Sequence, residues 1–193
     1  MQRFLALLTT LLLTAASWAA PSPTALKAGV FEPPHPAPEF TLQGSDGADL
    51  KLSRYRGKVV LLFFGFSQCP AVCPTTLATL VQARKALGKD ANAVQVIFAT
   101  VDPERDTVPV LKAYLGAFDN SLLGGTGKPA VLAALRKDYG VVARKVPTAG
   151  GGYVYDHTSS IFLIDRAGRL RALMPYGHEA RDYVHDIRLL LAP

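Results

Sequence analysis

Val59-Val60-Leu61-Leu62-Phe63-Phe64-Gly65-Phe66-Ser67-Gln68-Cys69-Pro70-Ala71-Val72-Cys73-Pro74 holds both cysteines of the chain. The unbroken apolar run at 59–64 reads as a strand buried on both faces. The residues after it read as a turn, and Pro74 suits the first turn of a following helix, where a missing N–H removes no intrahelical bond. A buried strand that empties into a cysteine-bearing turn and then a helix sets sulfur beside backbone N–H groups and the positive end of a helix dipole, both of which favour thiolate. Three residues separate the sulfurs rather than two, and that spacing leaves thiol-disulfide exchange and metal binding both open.

Outward from this stretch, the pattern alternates. Residues 40–42 and 48–52, joined by Gly44-Ser45-Asp46-Gly47, predict a small N-terminal hairpin. Leu77, Leu80, Val81, Ala83 and Leu87 give the helix after Pro74 an apolar face that ends near Gly88. A second buried strand is expected at 94–101, and a helix at 110–118 that Thr107 could cap. A short apolar segment at 122–123 precedes a helix at 129–139, stopped by Gly140. An edge strand at 141–146 and a flexible connection at 150–152 follow. A hairpin of 159–164 with 170–174 turns at Asp165-Arg166-Ala167-Gly168, and a terminal helix covers 180–191. Strands alternating with helices, then a terminal hairpin and helix, predict an α/β thioredoxin-like sandwich with an added N-terminal hairpin.

The chain has 193 residues and a net charge of +6, which gives room for one domain behind a targeting segment. Residues 1–20 carry one positive residue, Arg3, then a leucine-rich stretch and small residues, and read as an export signal peptide. Ser17 and Ala19 satisfy the small-x-small rule and place cleavage after Ala19. A retained N-terminal anchor is the competing reading, since no charge stands between Arg3 and Lys27. Residues 21–38 contain six prolines and read as an extended tether, leaving 39–193 as the domain. Export points away from nucleic acid as a partner and toward a bacterial periplasm. It also means an oxidising compartment, where a nearby pair of cysteines tends to close into a disulfide.

A disulfide that merely pins a turn is one reading of Cys69 and Cys73. Pro70 and Pro74, each following a cysteine, stiffen the turn and fix where the sulfurs point. Two thiolates suit Cu(I) or Zn(II) but leave either under-coordinated, so a third donor is needed. The histidines are His35, His157, His178 and His185. His35 falls in the tether, His185 in the last helix, and His178 in a loop with no evident partner. His157, in Asp156-His157-Thr158, precedes the strand at 159–164, whose entry loop faces the cysteine turn in a thioredoxin-like fold. Thiol-disulfide enzymes of that fold place a cis-proline there, yet no proline lies between Pro147 and Pro175.

The segment 63–74, Val101-Asp102-Pro103-Glu104-Arg105-Asp106-Thr107 and Asp156-His157-Thr158, in this order, resemble the Sco (SenC) family over roughly residues 38–191. The resemblance implies a copper-binding metallochaperone that helps assemble the binuclear copper site of cytochrome c oxidase subunit II. It implies copper, as Cu(I), Cu(II) or both, held by Cys69, Cys73 and His157. Ala71 departs from the family, in which that position is often acidic. Asp102 follows a predicted central strand at the edge where α/β sheets build their sites; it reads either as an ordinary turn residue or as a group that bonds to, or tunes, a ligand from behind it. Phe66, Pro70 and Tyr155 are candidates for a docking rim.

The alternative is an enzyme, a thiol-disulfide reductase of the oxidase copper-site cysteines in which Cys69 attacks and Cys73 resolves, or else a redox sensor. Copper loading requires the dithiol, so the metallochaperone reading also expects an exported thiol reductant as a partner, and a further periplasmic copper chaperone is another candidate partner.

Overall fold

The computed structural model describes residues 25–192. The export signal or anchor expected at 1–20 lies outside them, and no described helix is long and apolar enough to cross a membrane. The central strands are β4 (Val59–Gly65) and β5 (Val94–Thr100), parallel neighbours in which every residue is buried. Alternate side chains of such strands serve opposite faces. Val59, Leu61 and Phe63 join one core with Leu77 and Leu80 of α1 (Val72–Ala86) and Tyr183 and Ile187 of α4 (Ala180–Leu191). Val60, Leu62 and Phe64 join a second with Leu132 and Leu135 of α3 (Pro129–Asp138). Burial of one such aliphatic or aromatic side chain stabilises the fold by about 1.5–3 kcal/mol, so the strand before the cysteine turn is held from both sides.

The eight-stranded sheet is ordered β1-β10-β9-β4-β5-β6-β2-β3. The predicted hairpin is β2 (Thr41–Gly44) with β3 (Asp49–Lys51), joined to the sheet through β6 (Leu123–Thr126). The terminal hairpin is β9 (Ile161–Ile164) with β10 (Arg169–Met174). This is the α/β thioredoxin-like sandwich expected. Helix α1 carries Arg84 and Lys85 in its last turn, against the negative end of its dipole, and Gly88 follows at φ +59° to stop it. Helix α2 (Val108–Gly116) starts two residues early; Thr107 stands at its N-cap position but makes no side-chain cap bond.

Two expectations need correction. The stretch 21–38 is not tether throughout: β1 (Gly29–Pro36) pairs antiparallel with β10. Prolines are tolerated there because β1 is an edge strand and its register shifts between Val30 and His35, where Pro33 and Pro34 lie. His35 therefore sits in the sheet, its ring 5.3 Å from that of Phe31. The second correction concerns 141–157. β7 (Ala143–Pro147) is no edge strand of the main sheet, but pairs with β8 (Tyr153–His157) in a separate two-stranded ribbon. The glycines at 150–152 lie in its turn.

Candidate metal centre

Gly65 closes β4 and has to be glycine: a Cβ there would come within 2.8 Å of Cys73 Sγ and 2.7 Å of the Phe98 ring. The chain then turns, with the Cys69 amide donating to the Phe66 carbonyl at 3.2 Å. Cys73 lies buried in the first turn of α1, and its amide donates to Cys69 Sγ at 3.4 Å. Cys69 is half-buried, and both thiols are free. Burial pushes the Cys73 thiol well above the ordinary range, and Cys69 beside it acts in the same direction. A bare thiolate is therefore costly at Cys73, whereas a bound cation supplies the charge that stabilises one.

His157 ends β8, opposite Ala143. Its Nδ1 lies 2.9 Å from the Thr158 carbonyl oxygen, which can only accept, so Nδ1 carries the proton and Nε2 keeps its lone pair. That lone pair is 3.8 Å from Cys73 Sγ. The Phe66 ring stands edge-on to the imidazole at 5.7 Å, and burial lowers the histidine pKa from its ordinary value, which keeps the ring neutral and able to ligate. The donor atoms of Cys69, Cys73 and His157 all lie within 4.8 Å of one another. Bonds of the length zinc makes, about 2.3 Å to sulfur and about 2.0 Å to imidazole nitrogen, set sulfur and nitrogen roughly 3.5–3.7 Å apart, and two sulfurs roughly 3.8–4.0 Å apart, at tetrahedral to trigonal angles. The sulfur–nitrogen separation is already close to that size, so the cluster fits a soft first-row cation.

The other histidines are engaged elsewhere. His178 meets Asp182 at 3.3 Å, although the sequence offered it no partner, and His185 meets Asp186 at 2.8 Å. Asp102 is buried, as a site residue should be, but among the described residues its carboxylate bonds to none of the three donors. It pairs with Arg105 and accepts from the Tyr153 hydroxyl at 3.1 Å. The aspartate that touches the cysteine turn is Asp106, which accepts from the Ser67 amide at 3.1 Å, the Ser67 hydroxyl at 2.5 Å and the Thr100 hydroxyl at 2.6 Å. Burial raises its pKa, and the Ser67 and Thr100 bonds oppose that rise. Nothing local in the sequence separates Asp106 from Asp102; its partners lie 39 and 6 residues away. Of the candidate rim, Phe66 is fully buried, Tyr155 half-buried and Pro70 exposed, so Phe66 is a packing residue.

The SCO1/SenC family model matches residues 31–192. The chain belongs to the SCO1/SenC family. Among solved SCO1/SenC relatives, the Bradyrhizobium japonicum ScoI structure with copper bound is 40% identical, with a TM-score of 0.75 over 80% of this chain and 99% of that one. The apo Sco1 of Thermus thermophilus is 39% identical, with a TM-score of 0.77 over 86% and 98%. The mitochondrial SCO2 homologue of Mus musculus is 34% identical over 157 residues, which is 80% of this chain and 62% of that relative. The chain thus spans about three fifths of the length of such curated SCO2 relatives.

Proposed function

We propose that this SCO1/SenC protein is a metallochaperone that binds copper through Cys69, Cys73 and His157 and assists assembly of the binuclear copper site of cytochrome c oxidase subunit II. The observation that carries the reading is the tautomer of His157. Its Nδ1–H is spent on Thr158, so its free Nε2 faces Cys73 Sγ at 3.8 Å, within a cluster of two sulfurs and one nitrogen. Soft sulfur with imidazole selects copper or zinc over hard cations. Copper bound in Bradyrhizobium japonicum ScoI and in yeast Sco1, the latter 31% identical, supports copper.

Cys69 is the open side of the site, half-exposed beside exposed Gln68, Pro70 and Ala71; Pro70 and Tyr155 would flank an acceptor docked there. Transfer then consists of replacing Cys69, Cys73 and His157 in turn by the acceptor's own ligands. The export signal read at 1–20 supports a periplasmic place of work. The cysteines must be reduced for loading, which calls for an exported thiol reductant, and another periplasmic copper chaperone would be the donor.

Thiol-disulfide exchange would use Cys69 as the attacking sulfur, since it is the more exposed, and Cys73 to displace the substrate thiol; it gives His157 no role. Copper stoichiometry and affinity of anaerobically reduced protein separate the two. One copper per chain, lost on oxidation and much weakened in His157→Ala, is the expected result. Equal, weak binding by wild type, oxidised protein and His157→Ala would refute the metallochaperone reading.

A further inference from the structure

Residues 102–106 stand between the two halves of the metal centre and bond to both. Toward the cysteine turn, Asp106 holds Ser67, and Arg105 Nη1 donates to Gln68 Oε1 at 2.9 Å, one residue before Cys69. Toward the ribbon, the same Nη1 donates to the Tyr153 carbonyl at 3.0 Å, and the guanidinium lies 3.8 Å from the centroid of the Tyr153 ring. Buried Asp102 pairs with Arg105 Nε and takes the Tyr153 hydroxyl. Glu104 reaches Lys145 of β7 at 2.7 Å. Among the described residues, Arg105 is the one side chain outside the two segments that hydrogen-bonds to both.

The ribbon depends on such contacts. β7 and β8 pair with each other and with no strand of the main sheet, and only Ala143, Val154 and Tyr155 of the two strands pack partly against the core. Tyr153, Tyr155 and His157 alternate along β8 and so share one face. That face meets the rest of the site at Tyr153 through the Arg105 guanidinium and the Asp102 and Glu104 carboxylates, and at Tyr155 and His157 through the Phe66 ring. Phe66 presses on the face without directional bonds, whereas Arg105, with Asp102 behind it, fixes its register through bonds to the Tyr153 carbonyl and hydroxyl.

We infer that Arg105 is a positioning residue of the metal centre, tying the strand that carries His157 to the turn that carries Cys69 and thereby setting the distance between imidazole and sulfur. This rests on the reading of Cys69, Cys73 and His157 as copper ligands. The planar fork of arginine is what the position requires: Nε faces Asp102 while Nη1 spans Gln68 and Tyr153, and the plane stacks on the ring. A lysine ammonium is a point charge and cannot do all three. Groups behind a metal's ligands are worth about 10- to 100-fold in affinity.

The test is Cu(I) competition against a chromophoric chelator, using reduced full-length wild type, Arg105→Met, Arg105→Lys, His157→Ala and the double variant Arg105→Met/His157→Ala. Arg105→Met is expected to bind about 10- to 100-fold more weakly than wild type. Arg105→Lys, which keeps the charge beside Asp102 and so the fold, should also weaken. The double variant should bind no more weakly than His157→Ala alone, because Arg105 acts through the imidazole. In the Cu(II) form, the sulfur-to-copper charge-transfer band of Arg105→Lys should move toward that of His157→Ala. Wild-type affinity in both Arg105 variants, or losses that multiply in the double variant, would overturn the inference while leaving the copper site standing. A His157→Ala variant that binds like wild type would instead overturn the copper reading, and Arg105 with it.

Discussion

The two halves of the candidate metal centre are built in opposite ways. The dithiol half hangs from β4 and opens α1, so the positions of Cys69 and Cys73 follow from a strand buried on both faces and a helix packed into the core. The imidazole half is a two-stranded ribbon outside the main sheet, held by side chains of residues 102–106 and by Phe66. Isolated two-stranded hairpins are marginal in water. The sulfur geometry is therefore as stable as the fold, whereas the nitrogen geometry rests on a few bonds and the partial packing of Ala143, Val154 and Tyr155 on the core.

Substitutions and conditions that act on one half at a time should expose this difference. The largest effect is expected from Cys73→Ser, which keeps the shape of the buried side chain and removes a soft donor: copper should no longer be retained by reduced protein on gel filtration, while circular dichroism stays native. Acidification comes next. Burial keeps Cys73 protonated to higher pH and His157 neutral to lower pH. Near neutrality the imidazole is ready and the thiol must give its proton to solvent, so apparent affinity should rise about tenfold per pH unit for each proton released and fall on acidification. Competition titrations across the neutral range would show a flat profile only if copper displaced no proton from either cysteine.

Gly65→Ala strikes the fold and the dithiol half together, because its Cβ would press on both Phe98 and Cys73 Sγ. Overpacking of this kind costs roughly 1–3 kcal/mol, so denaturant midpoint and copper affinity should both drop; a loss of affinity at unchanged stability would contradict the account. The smallest effect is expected from Lys145→Met, which breaks the exposed ion pair with Glu104 at the ribbon. Such pairs are screened by solvent, and the thermal midpoint should stay put with copper affinity nearly unchanged.

The same division governed what could be read from the sequence. The dithiol half was legible because a continuous apolar strand, two cysteines and Pro74 are local signals, and the terminal helix at 180–191 and both main-sheet hairpins were legible for the same reason. The ribbon was not. Tyr153-Val154-Tyr155 has strand propensity, but the glycines before it read as a loose connection and hid the β8 strand that carries His157. β1 was hidden in turn by prolines that only an edge position tolerates. His157 was found by its place before β9, and the structure brings it to the cysteines. Asp102 was read as a turn residue or a group behind a ligand, and Asp106 went unnoticed; that Asp106 is the aspartate bonded to the cysteine turn depends on Ser67 and Thr100, brought close only by the fold. Arg105 was likewise invisible as a link, since Gln68 and Tyr153 lie 37 and 48 residues from it.

X-ray absorption at the copper edge, on reduced protein loaded with one equivalent of Cu(I), tests the central claim most directly. Two sulfurs and one imidazole nitrogen per copper, with the nitrogen shell lost in His157→Ala, is the result predicted from the donor cluster. An all-sulfur shell in wild type, or a spectrum indifferent to His157, would contradict it.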